Sequence, residues 1–152
     1  MALQIGDRAP DFTLPADTAE PITLSKLRGH TVVLYFYPKD NTPGCTKEAC
    51  LFRDHYELLQ KKGVTILGVS KDTPETHNKF KKKHHLPFTL LTDKDADVCE
   101  AYGVINKKSL FGKTFLGIQR STFLINQQGI IQAIWRKVNI AQHVEDILHE
   151  LK

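Results

Sequence analysis

Only three cysteines, Cys45, Cys50 and Cys99, occur among 152 residues. They are too few and too unevenly spaced for a secreted disulfide framework, and no C-x-x-C pair marks a dithiol oxidoreductase. Long apolar stretches are missing as well. The longest, Val32 to Tyr37, covers six residues, against the roughly 20 that span a bilayer. The opening residues, Met1 to Asp7, carry neither a basic segment nor an apolar core of the secretory kind. Internal repeats, low-complexity tracts and Ser/Gly linkers are absent too. The expectation is a single domain over residues 1–152, soluble and cytoplasmic. Neither sign of charge dominates: 21 Lys and Arg oppose 17 Asp and Glu, a formal +4 with a pI near 8.9. That permits weak attraction to polyanions without requiring it. What is present, 41% apolar and 25% charged residues, is a globular mixture that argues against disorder.

The pattern along the chain alternates strands and helices. Phe12-Thr13-Leu14 and Ile22-Thr23-Leu24 read as short edge or hairpin strands, limited by Pro15 and Pro21. Thr31 to Tyr37 and Val64 to Val69 are β-branched, aromatic-rich runs of the kind found in buried central strands. A helix is expected from Pro43 to Lys62, ended by Gly63, and another from Thr73-Pro74 to about His85. Phe88 to Leu91 reads as a strand, Ala96 to Tyr102 as a short helix closed by Gly103, and 105–117 as a loop. Ile118 to Ile125 and Ile130 to Trp135 are strands joined by a hairpin turn at 126–129. Ala141, Val144, Ile147, Leu148 and Leu151 mark a closing amphipathic helix. This order implies an α/β fold with a mixed central sheet and helices on both faces. A thioredoxin-like core with an N-terminal β-hairpin extension and an inserted strand–helix unit is the natural candidate.

Residues 38–50 concentrate the chemistry. Thr42-Pro43 is a helix start, which puts Cys45 in the first turn, where free backbone N–H groups and the helix dipole favour a thiolate. Cys45, Ala49, Phe52, Tyr56 and Leu59 share one helical face, the face that packs on the sheet. Cys50 aligns with Asp54, Glu57 and Lys61 on a polar face. Cys45 is therefore expected in a sheltered pocket at the end of the 31–37 strand, with Cys50 nearer water. Five residues of intact helix separate the two Cα atoms by about 8.5 Å, beyond the ~7 Å a disulfide tolerates. A bond between them requires the first turns to unwind. Spacing alone leaves three readings open: reactive thiols, two cysteines merely packing, and a zinc half-site completed by His84 and His85.

The stretch Pro38, Thr42, Cys45 resembles the peroxiredoxin pattern P-x-x-x-T-x-x-C. With Thr42-Pro43-Gly44-Cys45-Thr46, Glu48 and a further Cys50, it is similar to the bacterioferritin comigratory, or Q-type, branch. Residues 9–15 and the stretch Gly117-Ile118-Gln119-Arg120-Ser121-Thr122-Phe123 fit the same branch, so the resemblance spans essentially the whole chain. It implies a thiol peroxidase of antioxidant defence acting on hydrogen peroxide and alkyl hydroperoxides. Cys45 would be the peroxidatic cysteine and Cys50 the resolving one, joined as an intramolecular disulfide and recycled by a thioredoxin-type reductant. Thr42 would hydrogen-bond peroxide and thiolate, Pro38 would shield the pocket, Arg120 would stabilise developing charge, and Glu48 would orient Arg120. The branch implies a monomer with no cofactor, metal, membrane or specific nucleic acid.

Without the resemblance, these residues have plainer readings. Arg120 would be a solvated strand residue, Glu48 a favourable charge in the first helical turns, and Pro38 and Pro43 punctuation of a loop. Cys99 reads as core packing. The basic run from His77 to His85 holds four lysines and three histidines and reads as a solvated helix surface. A polyanion-binding module built on that run, and a redox sensor built on the cysteines, are the rival functions.

Overall fold

The computed structural model describes residues 2–151 of the 152 read as one unit; the two terminal residues lie outside it. β1 (Thr13–Leu14) and β2 (Ile22–Thr23) form an antiparallel ribbon, and Leu24 opens a 3-10 turn instead of extending β2. β3 (Thr31–Phe36) and β4 (Val64–Ser70) run parallel, and β5 (Thr89–Thr92) continues beside β4 in the same sense. An antiparallel hairpin, β6 (Ile105–Leu110) and β7 (Lys113–Ile118), projects from the body. β8 (Ser121–Ile125) returns antiparallel to β3, and β9 (Ile131–Trp135) pairs with β8 through the turn at 126–129. The main sheet thus has five strands in the order β5-β4-β3-β8-β9, mixed as expected.

Strand alternation sorts β3 into two cores. Val32, Leu34 and Phe36 face the N-terminal ribbon and the short helix at Asp97–Ala101, whose Cys99 and neighbour Tyr102 complete that side. Val33, Tyr35 and Tyr37 face the remaining helices, with Phe52, Leu59, Phe80, Val144 and Ile147. In chain order the helices are α1 (Pro43–Asp54), α2 (Tyr56–Lys61), α3 (Pro74–His84), α4 (Asp97–Ala101) and α5 (His143–Glu150). Helices cover both faces, but unequally. Gly68 pairs with Tyr35 across β3 and β4. A Cβ there would sit 2.9 Å from the Tyr35 ring and from Leu90, so the glycine makes room for the ring.

Three expectations need correction. The helix expected from 43 to 62 is two helices broken at His55. Its N–H is shared between the carbonyls of Leu51 and Phe52 at 3.3 Å each, while its ring Nδ1 reaches the Leu51 carbonyl at 2.9 Å. This competition for one acceptor unseats the next turn. The loop expected at 105–117 is the β6–β7 hairpin. Its two-residue turn uses Phe111 at φ 53° and Gly112 at φ 76°, the left-handed pair that matches strand twist. Phenylalanine rarely takes that conformation, so the turn went unread. Finally, the strand expected from Ile118 to Ile125 is interrupted at Gln119-Arg120, which frees the Arg120 side chain to leave the sheet.

Candidate active site

The end of β3 delivers the chain to the N-terminus of α1. Pro38 and Lys39 are exposed, Asp40 is buried, and Asn41 takes φ 61° before Thr42 and Pro43 start the helix. The Thr42 side chain does not cap the helix. Its single proton goes to the Lys39 carbonyl at 2.8 Å, which leaves only oxygen lone pairs for anything else. The donation to sulfur expected of that hydroxyl gives way to a turn contact that fixes the loop.

Cys45 is 2% exposed and shares its buried face with Ala49, Phe52 and Leu59, as the periodicity requires. Cys50 is half-buried on the other side, and all three cysteines are free thiols. Arg120 comes from the break between β7 and β8. Its Nη2 donates to Cys45 Sγ at 3.3 Å and its Nη1 to Glu48 Oε1 at 2.6 Å. It is neither a strand residue nor fully solvated. Gly44 permits this approach, because a Cβ there would lie 3.2 Å from Arg120 Nη2. Arg120 thus clamps two residues one helical turn apart, the fork geometry that a lysine lacks.

The electrostatics are tightly drawn. Glu48 is 1% exposed, and burial pushes its carboxyl up to about 7 although Arg120 pulls the other way. Its second oxygen has no hydrogen-bond partner among the described residues. Burial opposes the charge on Arg120, but Glu48 and Cys45 together hold its guanidinium above the ordinary value. His143, unread in the sequence, stacks edge-on to Phe52 and Trp135 and pairs through Nε2 with Thr122 Oγ1 at 2.7 Å. Burial drives its pKa down to about 4, so it is neutral at physiological pH. The β6–β7 hairpin contributes Lys108, whose Nζ donates to the Ile118 carbonyl at 2.6 Å; burial and then the charge of Arg120 lower its pKa. Neither residue left a sequence signal, because both depend on a tertiary approach.

A second buried polar group lies under the strand-to-helix loop. Asp40 accepts from the Tyr37 hydroxyl, and its other oxygen is 2.6 Å from His77 Nδ1. His77 Nε2 is 2.9 Å from the Leu91 carbonyl. Asp72 Oδ2 accepts from the Asp40 N–H at 2.8 Å and from the Ser70 hydroxyl at 2.6 Å. Asp40, Asp72 and His77 form the one cluster among the described residues with metal-ligand spacing, but Asp40 and His77 are engaged with each other and Asp72 with the Asp40 N–H and the Ser70 hydroxyl. His77 and Phe80 are buried, so the basic run is not wholly solvated; Lys81 pairs with Asp17 at 2.6 Å while Lys82 and Lys83 remain exposed. His84 packs on the Phe80 ring. Cys99 is fully buried in the other core, and burial and the Asp93 side chain raise its thiol far above the ordinary range. No helix among the described residues is long and apolar enough to cross a membrane.

Comparison with known proteins places this arrangement. Residues 5–134 match the AhpC/TSA family. The chain is 54% identical to the putative peroxiredoxin bcp of Coxiella burnetii over 99% of this chain and 100% of that protein. It is 49% identical to peroxiredoxin Bcp of Bacillus subtilis, over 100% and 97%. Among solved structures, a mutant PrxQ of Xylella fastidiosa superposes with a TM-score of 0.92 at 36% identity, covering 99% of this chain and 96% of that one. The bacterioferritin comigratory protein of Xanthomonas campestris, studied for alkyl peroxide reduction, gives 0.87 at 41%, covering 92% and 89%.

Proposed function

Since this chain belongs to the AhpC/TSA family and is a peroxiredoxin, a thiol peroxidase of thioredoxin-like fold that takes peroxides and a thioredoxin-type reductant, we propose the following roles for its residues. The Cys45 thiolate attacks one peroxide oxygen. The O–O bond breaks, its electrons leave with the second oxygen, and that oxygen takes up a proton to depart as water or an alcohol. Cys45 is left as a sulfenic acid. The Cys50 thiol displaces that hydroxyl as water, giving the Cys45–Cys50 disulfide, and a dithiol reductant returns both thiols by exchange.

Arg120 carries the reading, because its fork spans Cys45 Sγ and Glu48. Charge moves from sulfur to the leaving oxygen during the attack, and a fixed cation beside both lowers the barrier. Glu48 holds the guanidinium against α1. Thr42, its proton committed to Lys39, accepts from the peroxide O–H through a lone pair, and exposed Pro38 forms the rim of the entrance. Hydrogen peroxide and alkyl hydroperoxides both fit this chemistry, which needs only an O–O bond. Both thiols sit on one helix, so a monomer completes the cycle, and three free cysteines suit the reducing cytoplasm.

Intact-mass and peptide mapping after one equivalent of hydrogen peroxide test the reading. Loss of two hydrogens at Cys45–Cys50 is expected. An oxygen retained on Cys45 would remove Cys50 from the resolving role, and an unmodified Cys45 would overturn the whole assignment.

A further inference from the structure

We propose that Asp40 and His77 are positioning residues for the peroxide step, fixing the hinge of α1 and thereby the balance between helical and unwound forms. The inference rests on the roles given above to Cys45 and Cys50. Neither residue touches the sulfur or Arg120; both act through the loop that feeds the helix.

The argument starts from what the helix start lacks. Thr42 makes no side-chain cap bond, so the first turn of α1, which holds Cys45, is not secured by the usual local device. Just before it, Asn41 occupies left-handed space at φ 61°, a conformation that persists only where its surroundings enforce it. The enforcement comes from the preceding residue. Asp40 is tied at three points: its N–H to Asp72, one carboxylate oxygen to Tyr37, and the other to His77. The Leu91 carbonyl can only accept, so His77 Nε2 carries a proton, and the 2.6 Å contact at Nδ1 holds another proton between ring and carboxylate. The imidazole therefore bridges β5 and the loop. Because Tyr37, Asp40 and His77 are buried, losing one of them leaves another uncompensated.

The consequence is specific to one half of the cycle. With the hinge held, α1 stays helical and Arg120 meets Cys45, the form that reacts with peroxide. With the hinge loosened, the first turns leave the helix more readily, the form that disulfide closure needs. Weakening the anchor should slow peroxide attack while sparing or hastening closure.

His77→Gln and His77→Asn separate this from a merely structural role. The Asn amide reproduces the Nδ1 contact to Asp40, whereas the longer Gln reaches toward Leu91 and loses Asp40. In stopped-flow experiments on the reduced full chain, H77Q is expected to react with hydrogen peroxide about tenfold more slowly, equivalent to about 1.4 kcal/mol. Sulfenate-to-disulfide closure, followed by quenched mass analysis, is expected to be no slower, and H77N to restore the peroxide step. Equal losses in both variants, or parallel slowing of both steps, would overturn the proposal. If H77Q does not fold, Asp72→Ala loosens the same hinge from its other anchor and must show the same split; wild-type behaviour there would likewise overturn it. Failure of the wild type to form a sulfenate at Cys45 would instead refute the roles on which the inference rests.

Discussion

Replacing Glu48 with glutamine gives a quantitative test of the site's electrostatics, because the carboxyl is almost fully buried and titrates in an accessible range. Burial raises it from 4.5 to about 7. Folded protein therefore binds a proton that unfolded protein has released across that window, and this group's contribution is fully present below pH 4.5 and lost as pH rises through 7. At about 1.4 kcal/mol per pH unit, the loss is about 3 kcal/mol. His143 works in the opposite sense. Burial lowers it from 6.5 to about 4, so its contribution is present above pH 6.5 and lost as pH falls through 4, again about 3 kcal/mol. In the wild type the two slopes nearly cancel between pH 4.5 and 6.5. E48Q removes one of them and leaves the other exposed. Urea unfolding followed by the single tryptophan, Trp135, should show E48Q gaining about 3 kcal/mol on the wild type between pH 4.5 and 7. A difference constant to within about 1 kcal/mol would refute the buried-carboxyl reasoning. Glu48 also becomes neutral on the acid side, which frees the Arg120 charge for Cys45.

Other outcomes follow from the same geometry. Cys45→Ser should abolish peroxide consumption, whereas Cys50→Ser should leave the first turnover intact and stop recycling, as peptide mass and coupled reductant assays will show. Arg120→Lys keeps a charge but loses the fork, and should lower the peroxide rate constant about 100-fold or more in stopped-flow measurement. Gly68→Ala pushes a methyl to 2.9 Å from Tyr35 and Leu90, and should cost about 1–3 kcal/mol of unfolding free energy in urea. Cys99 should resist iodoacetamide at pH 8 in the native state and react once unfolded, because burial keeps its thiol protonated.

The fold and the sheltered position of Cys45 were legible because they rest on local patterns, whereas the role of that thiol came from the resemblance. A β-branched run flanked by helix starts predicts β3 and α1, and the spacing from Cys45 to Leu59 predicts the buried face. Arg120 was legible only through resemblance, since its role depends on a strand break that turns the side chain across to α1. The helix break at His55 escaped notice because one imidazole bond to a carbonyl outweighs an otherwise continuous helical periodicity. Asp40 and His77 were illegible for a different reason. Their partners lie 37 residues apart in sequence, and His77 sat in a lysine-rich run whose composition suggested solvent.

The break at His55 also sets the size of the moving part. The proposed bridge between Cys45 and Cys50 would unravel the chain at least to residue 50, which leaves Leu51 to Asp54 as one turn, too little to stand as helix without neighbours. Had the helix run unbroken to Lys61, unravelling would compete with a long intact remainder and could stop anywhere along it. With a joint after Asp54, the twelve residues of α1 can let go as a unit while α2, pinned by Leu59, keeps its seat on the sheet. The joint works as a firebreak: it makes the rearrangement large enough to bring the sulfurs together and confines the opening of the second core to the side chains of α1, Ala49 and Phe52 among them.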